Sequence, residues 1–107
     1  MHFKVVIAEQ IYAVEVPDGL LREAAEFHAK LDRDMDRGWQ MSREYVQRPD
    51  QLQRCQIVAD KLLTSIINGN QTTAMLMAAY IALRAPGTTG VDVDASGEMQ
   101  NTALLHG

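Results

Sequence analysis

A single cysteine, Cys55, stands among 107 residues, so no intrachain disulfide forms and no cysteine cluster holds zinc. Aromatic residues make up only 6% of the chain, and six methionines take over part of the filling, which gives an adaptable interior. Lysine and arginine are missing after Arg84, whereas Asp92, Asp94 and Glu98 follow it, so much of the net charge of −4 falls in that last segment. A near-neutral body with no basic stripe cannot neutralise phosphates, which argues against nucleic acid and anionic membrane surfaces as partners. No apolar run approaches the roughly 20 residues that cross a bilayer. Met1 to Ile7 alternates and turns polar at Glu9, unlike the apolar core of a signal peptide, and the cytoplasm is the expected compartment.

What the chain does have is an uncharged run from Ala74 to Leu83, apolar on every side if helical. Such a helix must be enclosed by protein. A chain of 11.9 kDa has room for one modest core, so the enclosure is expected to include a second copy. That places Met75, Met77, Tyr80, Ile81 and Leu83 at an oligomer interface.

Phe3, Val5 and Ile7 alternate with Lys4 and Val6, as Tyr12, Val14 and Val16 do with Ala13 and Glu15, which predicts an N-terminal β-hairpin turning at Ala8 to Gln10. An isolated hairpin is marginal in water, so its apolar face should lie on helices or its edge should pair with a partner's hairpin. After Pro17-Asp18-Gly19, with Asp18 as cap, Leu20, Ala24, Phe27, Leu31 and Met35 mark a long amphipathic helix. Gly38 weakens it by about 1 kcal/mol, but Trp39 to Gln47 holds no strong breaker, so the helix is expected to continue or bend there.

Asp50 and Gln53 form a capping box for a helix with Leu52, Cys55, Ala59, Leu62 and Ile66 on its stripe. Asn68-Gly69-Asn70 stops it, Asn70 or Thr72 caps the final apolar helix, and Pro86-Gly87 closes that one. Residues 1–85 then form a single domain and residues 86–107 a flexible acidic tail. The expected class is α+β, mainly helical: a hairpin, a long amphipathic helix and two further helices, oligomeric.

Residues that could carry chemistry are scattered. His28 lies one turn before Asp32, a spacing that could orient an imidazole but more often marks a solvated pair. Asp60 sits in an apolar helix, where burial would raise its pKa, without a second catalytic group nearby in sequence. Cys55 has no neighbouring histidine, and Ser42 and Ser65 lack the glycine-flanked elbow of hydrolases. Asp92, Asp94, Ser96 and Gly97 fit the start of an EF-hand loop, but Ala103 stands where its bidentate glutamate is needed. No cofactor or metal is implied. Met35, Trp39, Met41 and Tyr80, joined by Met75 and Met77, could line a pocket for an apolar ligand.

Val5, Ile7 and Tyr12 around the turn, Val16-Pro17-Asp18-Gly19, and Leu21 through Ala24-Ala25 to Leu31 and Met35 resemble the ZapA family of bacterial cell-division proteins. Ile57-Val58-Ala59-Asp60-Lys61-Leu62-Leu63 is similar to the stretch that opens that family's long helix. The likeness covers residues 3–35 and 57–63. It departs at Glu9, where the family's turn has glycine, and at Asn68-Gly69-Asn70 and Pro86, which interrupt the coiled coil. The resemblance implies homodimers or tetramers that crosslink filaments of the tubulin-like protein FtsZ. The sequence therefore favours a non-enzymatic, homo-oligomeric adaptor or regulator whose partners are itself and another cytoplasmic protein. An accessory subunit with a methionine-rich ligand pocket is the alternative, and an enzyme built around His28 or Asp60 at a subunit interface is a third.

Overall fold

The computed structural model describes every residue from Met1 to Gly107, with about half of them helical. Strand β1 (His2–Ile7) pairs antiparallel with β2 (Gln10–Glu15), from Ile7↔Gln10 to His2↔Glu15. Ala8 and Glu9 join them with φ of 49° and 68°, the signature of a type I′ turn whose twist suits a hairpin. Residues with a Cβ are strained there. Glu9→Gly should therefore stabilise the fold by up to about 1 kcal/mol, seen as a higher urea midpoint at unchanged slope.

The pair is not free-standing. Strand β5 (Thr88–Val93) runs parallel to β1 on its other side, Lys4 beside Gly90 and Ile7 beside Val93, and β6 (Ala103–His106) lies antiparallel on β5. The order β2-β1-β5-β6 makes one four-stranded sheet. Residues 86–107 are thus not the flexible tail that their composition predicts, and the domain does not end at Ala85. Val91 and Val93 alternate with exposed Asp92 and fill the core, while Gly90 lets β5 approach a β1 backbone that a Cβ would strike at the Lys4 carbonyl.

The long amphipathic helix is two helices, α1 (Asp18–Glu23) and α2 (Ala25–Asp36), with a one-residue break at Ala24. Hydrogen bonds from Ala24 N to Leu20 O and from His28 N to Ala24 O carry the helical course across it. Asp18 lies in the first turn instead of capping it. Helix α2 does not continue past Gly38, whose φ of 95° ends it; β3 (Trp39–Met41) and β4 (Glu44–Val46) form a small hairpin. The Tyr45 ring occupies the space a Gly38 side chain would need, and its hydroxyl donates to Arg37 O at 2.8 Å.

Helix α3 (Gln51–Ile67) opens with the capping box: Gln53 N donates to Asp50 Oδ1 at 2.8 Å and Asp50 N to Gln53 Oε1 at 2.9 Å. Helix α4 (Gln71–Arg84) is capped by Asn70 Oδ1, which accepts from Thr73 N at 3.1 Å. No helix is long and apolar enough to cross a membrane.

Helix α4 packs against α1, α2, α3, β2 and β5. The apolar helix is therefore enclosed, but by its own chain: Met77, Tyr80 and Ile81 are buried in the single copy and cannot form an interface. The second half of the sheet supplies cover that a partner was expected to give. Of the anticipated interface set, only half-buried Met75 and exposed Leu83 reach the surface. Phe3, Val5, Val14, Val91 and Val93 line the sheet face that joins the core. The opposite face carries exposed Lys4, Ile11, Ala13 and Asp92.

Candidate functional site

Antiparallel strands alternate between hydrogen-bonded and non-bonded residue pairs. Val16 N donates to Met1 O at 2.7 Å and the Met1 ammonium to Val16 O at 2.6 Å, which makes 1↔16 a bonded pair. The alternation then assigns 3↔14, 5↔12 and 7↔10 to the bonded set as well. Ile11, Ala13 and Glu15 consequently aim their N–H and C=O groups away from β1, and β2 is the edge of the sheet, with no strand beyond it.

Proteins usually blunt such an edge with lysine, proline or a bulge. Gln10-Ile11-Tyr12-Ala13-Val14-Glu15 contains none of these, and its register with β1 is unbroken. Ile11 is 65% exposed and Tyr12 38%. Beside the strand, at the junction of α3 and α4, lies an open groove of about 400 Å³, lined by Tyr12, Val14, Ile66, Ala74 and Met75 among others. Ile67, 72% exposed, adjoins it in sequence. Glu15 is the one charged residue in the lining, and its carboxylate is engaged by His2 Nδ1 at 2.5 Å and the Met1 ammonium at 3.7 Å. The site is a strand edge charged only at Glu15, beside a groove that is apolar at Tyr12, Val14, Ile66, Ala74 and Met75 and polar at Ser65, Asn70 and Gln71.

A second cluster gathers titratable groups where α2, α3 and α4 meet. Asp32 Oδ1 accepts from Tyr80 Oη at 2.5 Å and Arg54 Nη1 at 3.3 Å, and Oδ2 from Arg84 Nη2 at 2.9 Å and Nε at 3.1 Å. Arg54 also donates to Asp36 Oδ1 at 2.6 Å and Pro49 O at 2.9 Å. Burial pushes the Asp32 carboxyl up, but hydrogen bonds from Tyr80, Arg84 and Arg54 outweigh it and hold the pKa below the usual carboxylate value. Burial, then the bond to Asp32, pushes the Tyr80 phenol upward. Two carboxylates face two guanidinium groups, so the network is balanced and ties three helices together.

Asp32 does not bond His28. That imidazole is fully buried instead of sitting in a solvated pair: Nε2 meets Leu76 O at 2.9 Å, Nδ1 has no partner, and the ring stands edge-on to Tyr80 at 5.5 Å. Burial lowers its pKa, which keeps it neutral among apolar neighbours. Cys55 is buried in the core, and burial raises its thiol pKa, the reverse of what activates a nucleophile.

The remaining candidates fall apart in space. Met35, Met41 and Tyr80 are fully buried core residues, and Trp39 packs on the rim with Lys61 Nζ 4.7 Å from its ring centre. The groove with open space lies elsewhere and takes only Met75 from the methionine set. Asp60 is half-buried, with its pKa raised by burial. Ser65 Oγ donates to Lys61 O at 2.8 Å, and Ser42 Oγ accepts from Met99 N at 2.9 Å. In the acidic loop, Asp94 Oδ2 accepts from Glu98 N at 2.7 Å and Ser96 N at 3.2 Å, turning the chain toward a 3-10 turn at Met99–Asn101. No group of three His, Cys, Asp or Glu side chains is placed to hold a metal ion.

The chain matches no protein-family model, no curated protein and no solved structure. Ile11, Ile66 and Ile67 were missing from the sequence-based site, although the absence of lysine and proline from residues 10–15 was a readable signal. Which strand became the edge was not readable, because that depends on where β5 pairs.

Proposed function

We propose that the protein is a non-enzymatic adaptor or regulatory protein that acts through protein–protein contacts and self-associates. The unblunted edge of β2, with Ile11 and Tyr12 exposed beside a partly apolar groove, carries this reading. A row of free backbone donors and acceptors flanked by apolar side chains suits addition of another strand. The resemblance of residues 3–35 and 57–63 to the ZapA family, whose members self-associate, points the same way.

Light scattering coupled to size exclusion over a hundredfold concentration range tests it. The mass should rise above the 11.9 kDa of one chain as concentration increases. Ile11→Glu puts a negative charge on the exposed edge without touching the core and should weaken association at least tenfold while leaving the melting temperature within a few degrees. A wild-type protein that stays at one-chain mass throughout would overturn the reading.

A further inference from the structure

We propose that two copies join by antiparallel pairing of β2 with β2 about a two-fold axis at Ala13, producing one continuous sheet across both copies. The inference rests on the self-association proposed above and specifies its partner and register. In any two-fold pairing of β2, outward-aimed residues must oppose outward-aimed residues, or the donors and acceptors do not meet. Ile11, Ala13 and Glu15 are that set, so the axis passes through Ala13 or through Tyr12 if most of the strand is to overlap.

Strand length decides between the two. An axis at Tyr12 carries Glu15 of each copy past the end of the other strand, beside the turn residue Glu9, so only Ile11 and Ala13 pair and two acidic side chains are brought near each other. An axis at Ala13 places Ile11 opposite Glu15 of the second copy and Ala13 opposite itself, with no like charges facing. About six backbone hydrogen bonds then form, two for each opposed pair. On the other face Tyr12 opposes Val14 of the second copy and enters the groove beside it, where Ile66 and Met75 supply apolar walls. The tyrosine left part-exposed in one copy is covered by the groove left open in the other.

Single-cysteine proteins in a Cys55→Ala background read the register directly. Hydrogen-bonded antiparallel neighbours have Cα atoms about 5.5 Å apart, within disulfide range, whereas an axis at Tyr12 moves the two Ala13 positions beyond about 7 Å. Under mild oxidation Ala13→Cys should form a covalent dimer at least tenfold faster than Tyr12→Cys or Ile11→Cys. Faster linkage of Tyr12→Cys would overturn the proposed axis. Proteins that fail to link yet remain dimeric by light scattering would overturn β2 pairing while leaving self-association standing, and one-chain mass throughout would overturn both. Amide hydrogen exchange on the unmodified protein gives an independent reading: exchange at Ile11, Ala13 and Glu15 should slow at least tenfold between dilute and concentrated samples. Unchanged exchange at these three amides in a sample shown to be dimeric would exclude the pairing.

Discussion

A chain cut after Gly87 should not fold. The segment removed pairs with β1 from Lys4↔Gly90 to Ile7↔Val93 and buries Val91 and Val93 against the helices, with Leu104 packed beside them. Fully burying such a side chain contributes about 1.5–3 kcal/mol, so Val91 and Val93 alone account for roughly 3–6 kcal/mol, to which part-buried Leu104 adds. That is comparable with the whole stability of a small domain, about 5–15 kcal/mol. The loss also uncovers one side of α4, whose apolar circumference has no other cover there. Circular dichroism should show no cooperative thermal transition for residues 1–87. A cooperative melt near the full-length temperature would mean that β5 and β6 merely decorate a self-sufficient unit.

Asp32→Ala should be strongly destabilising although the residue is polar and only partly buried. It leaves the Arg84 guanidinium, one arm of Arg54 and the Tyr80 hydroxyl without their shared acceptor at the meeting of three helices. Removing one member of a partly buried ion network costs about 3 kcal/mol, equivalent to a fall of roughly 15 °C in melting temperature for a domain of this size. Lys30→Ala removes an exposed pair, Lys30 with Asp34, and should leave the melting temperature nearly unchanged. The pH dependence has a definite sign. Because the folded-state pKa of Asp32 lies below its ordinary value of 3.8, its contribution is fully present above that value and is lost as pH falls through the folded pKa. Wild type should lose this increment in urea titrations carried below pH 4, and Asp32→Ala should not. Equal midpoints for the two proteins at pH 7 would show that the network contributes nothing net.

Local signals were legible where the chain itself enforces them. Asp50 and Gln53 announce the start of α3, Asn70 that of α4, and the alternation of Phe3 and Val5 marks a strand with one buried face. Long-range pairing was not legible. Thr88-Thr89-Gly90-Val91-Asp92-Val93 reads as part of a flexible tail by composition, and only its seat beside β1 makes Gly90 an asset and its valines core. Gly38 was weighed as a weak point in a helix, although its left-handed backbone ends α2 and admits the Tyr45 ring. The apolar run of α4 correctly demanded enclosure by protein, but the sequence does not say whose. The Asp32 network joins residues far apart in the chain, with only the His28 and Asp32 spacing visible beforehand, and that pair does not bond.

Parallel pairing of the first strand with the fifth has a consequence for biosynthesis. Lys4 leaves the ribosome long before its neighbour Gly90 is made. At roughly 5–20 residues per second the interval is about 4–17 s. Throughout it, a nascent hairpin displays both of its edges, and on a crowded polysome adjacent hairpins can find each other before β5 arrives. The inner edge of β1 therefore stays without its partner strand for as long as translation takes to deliver β5.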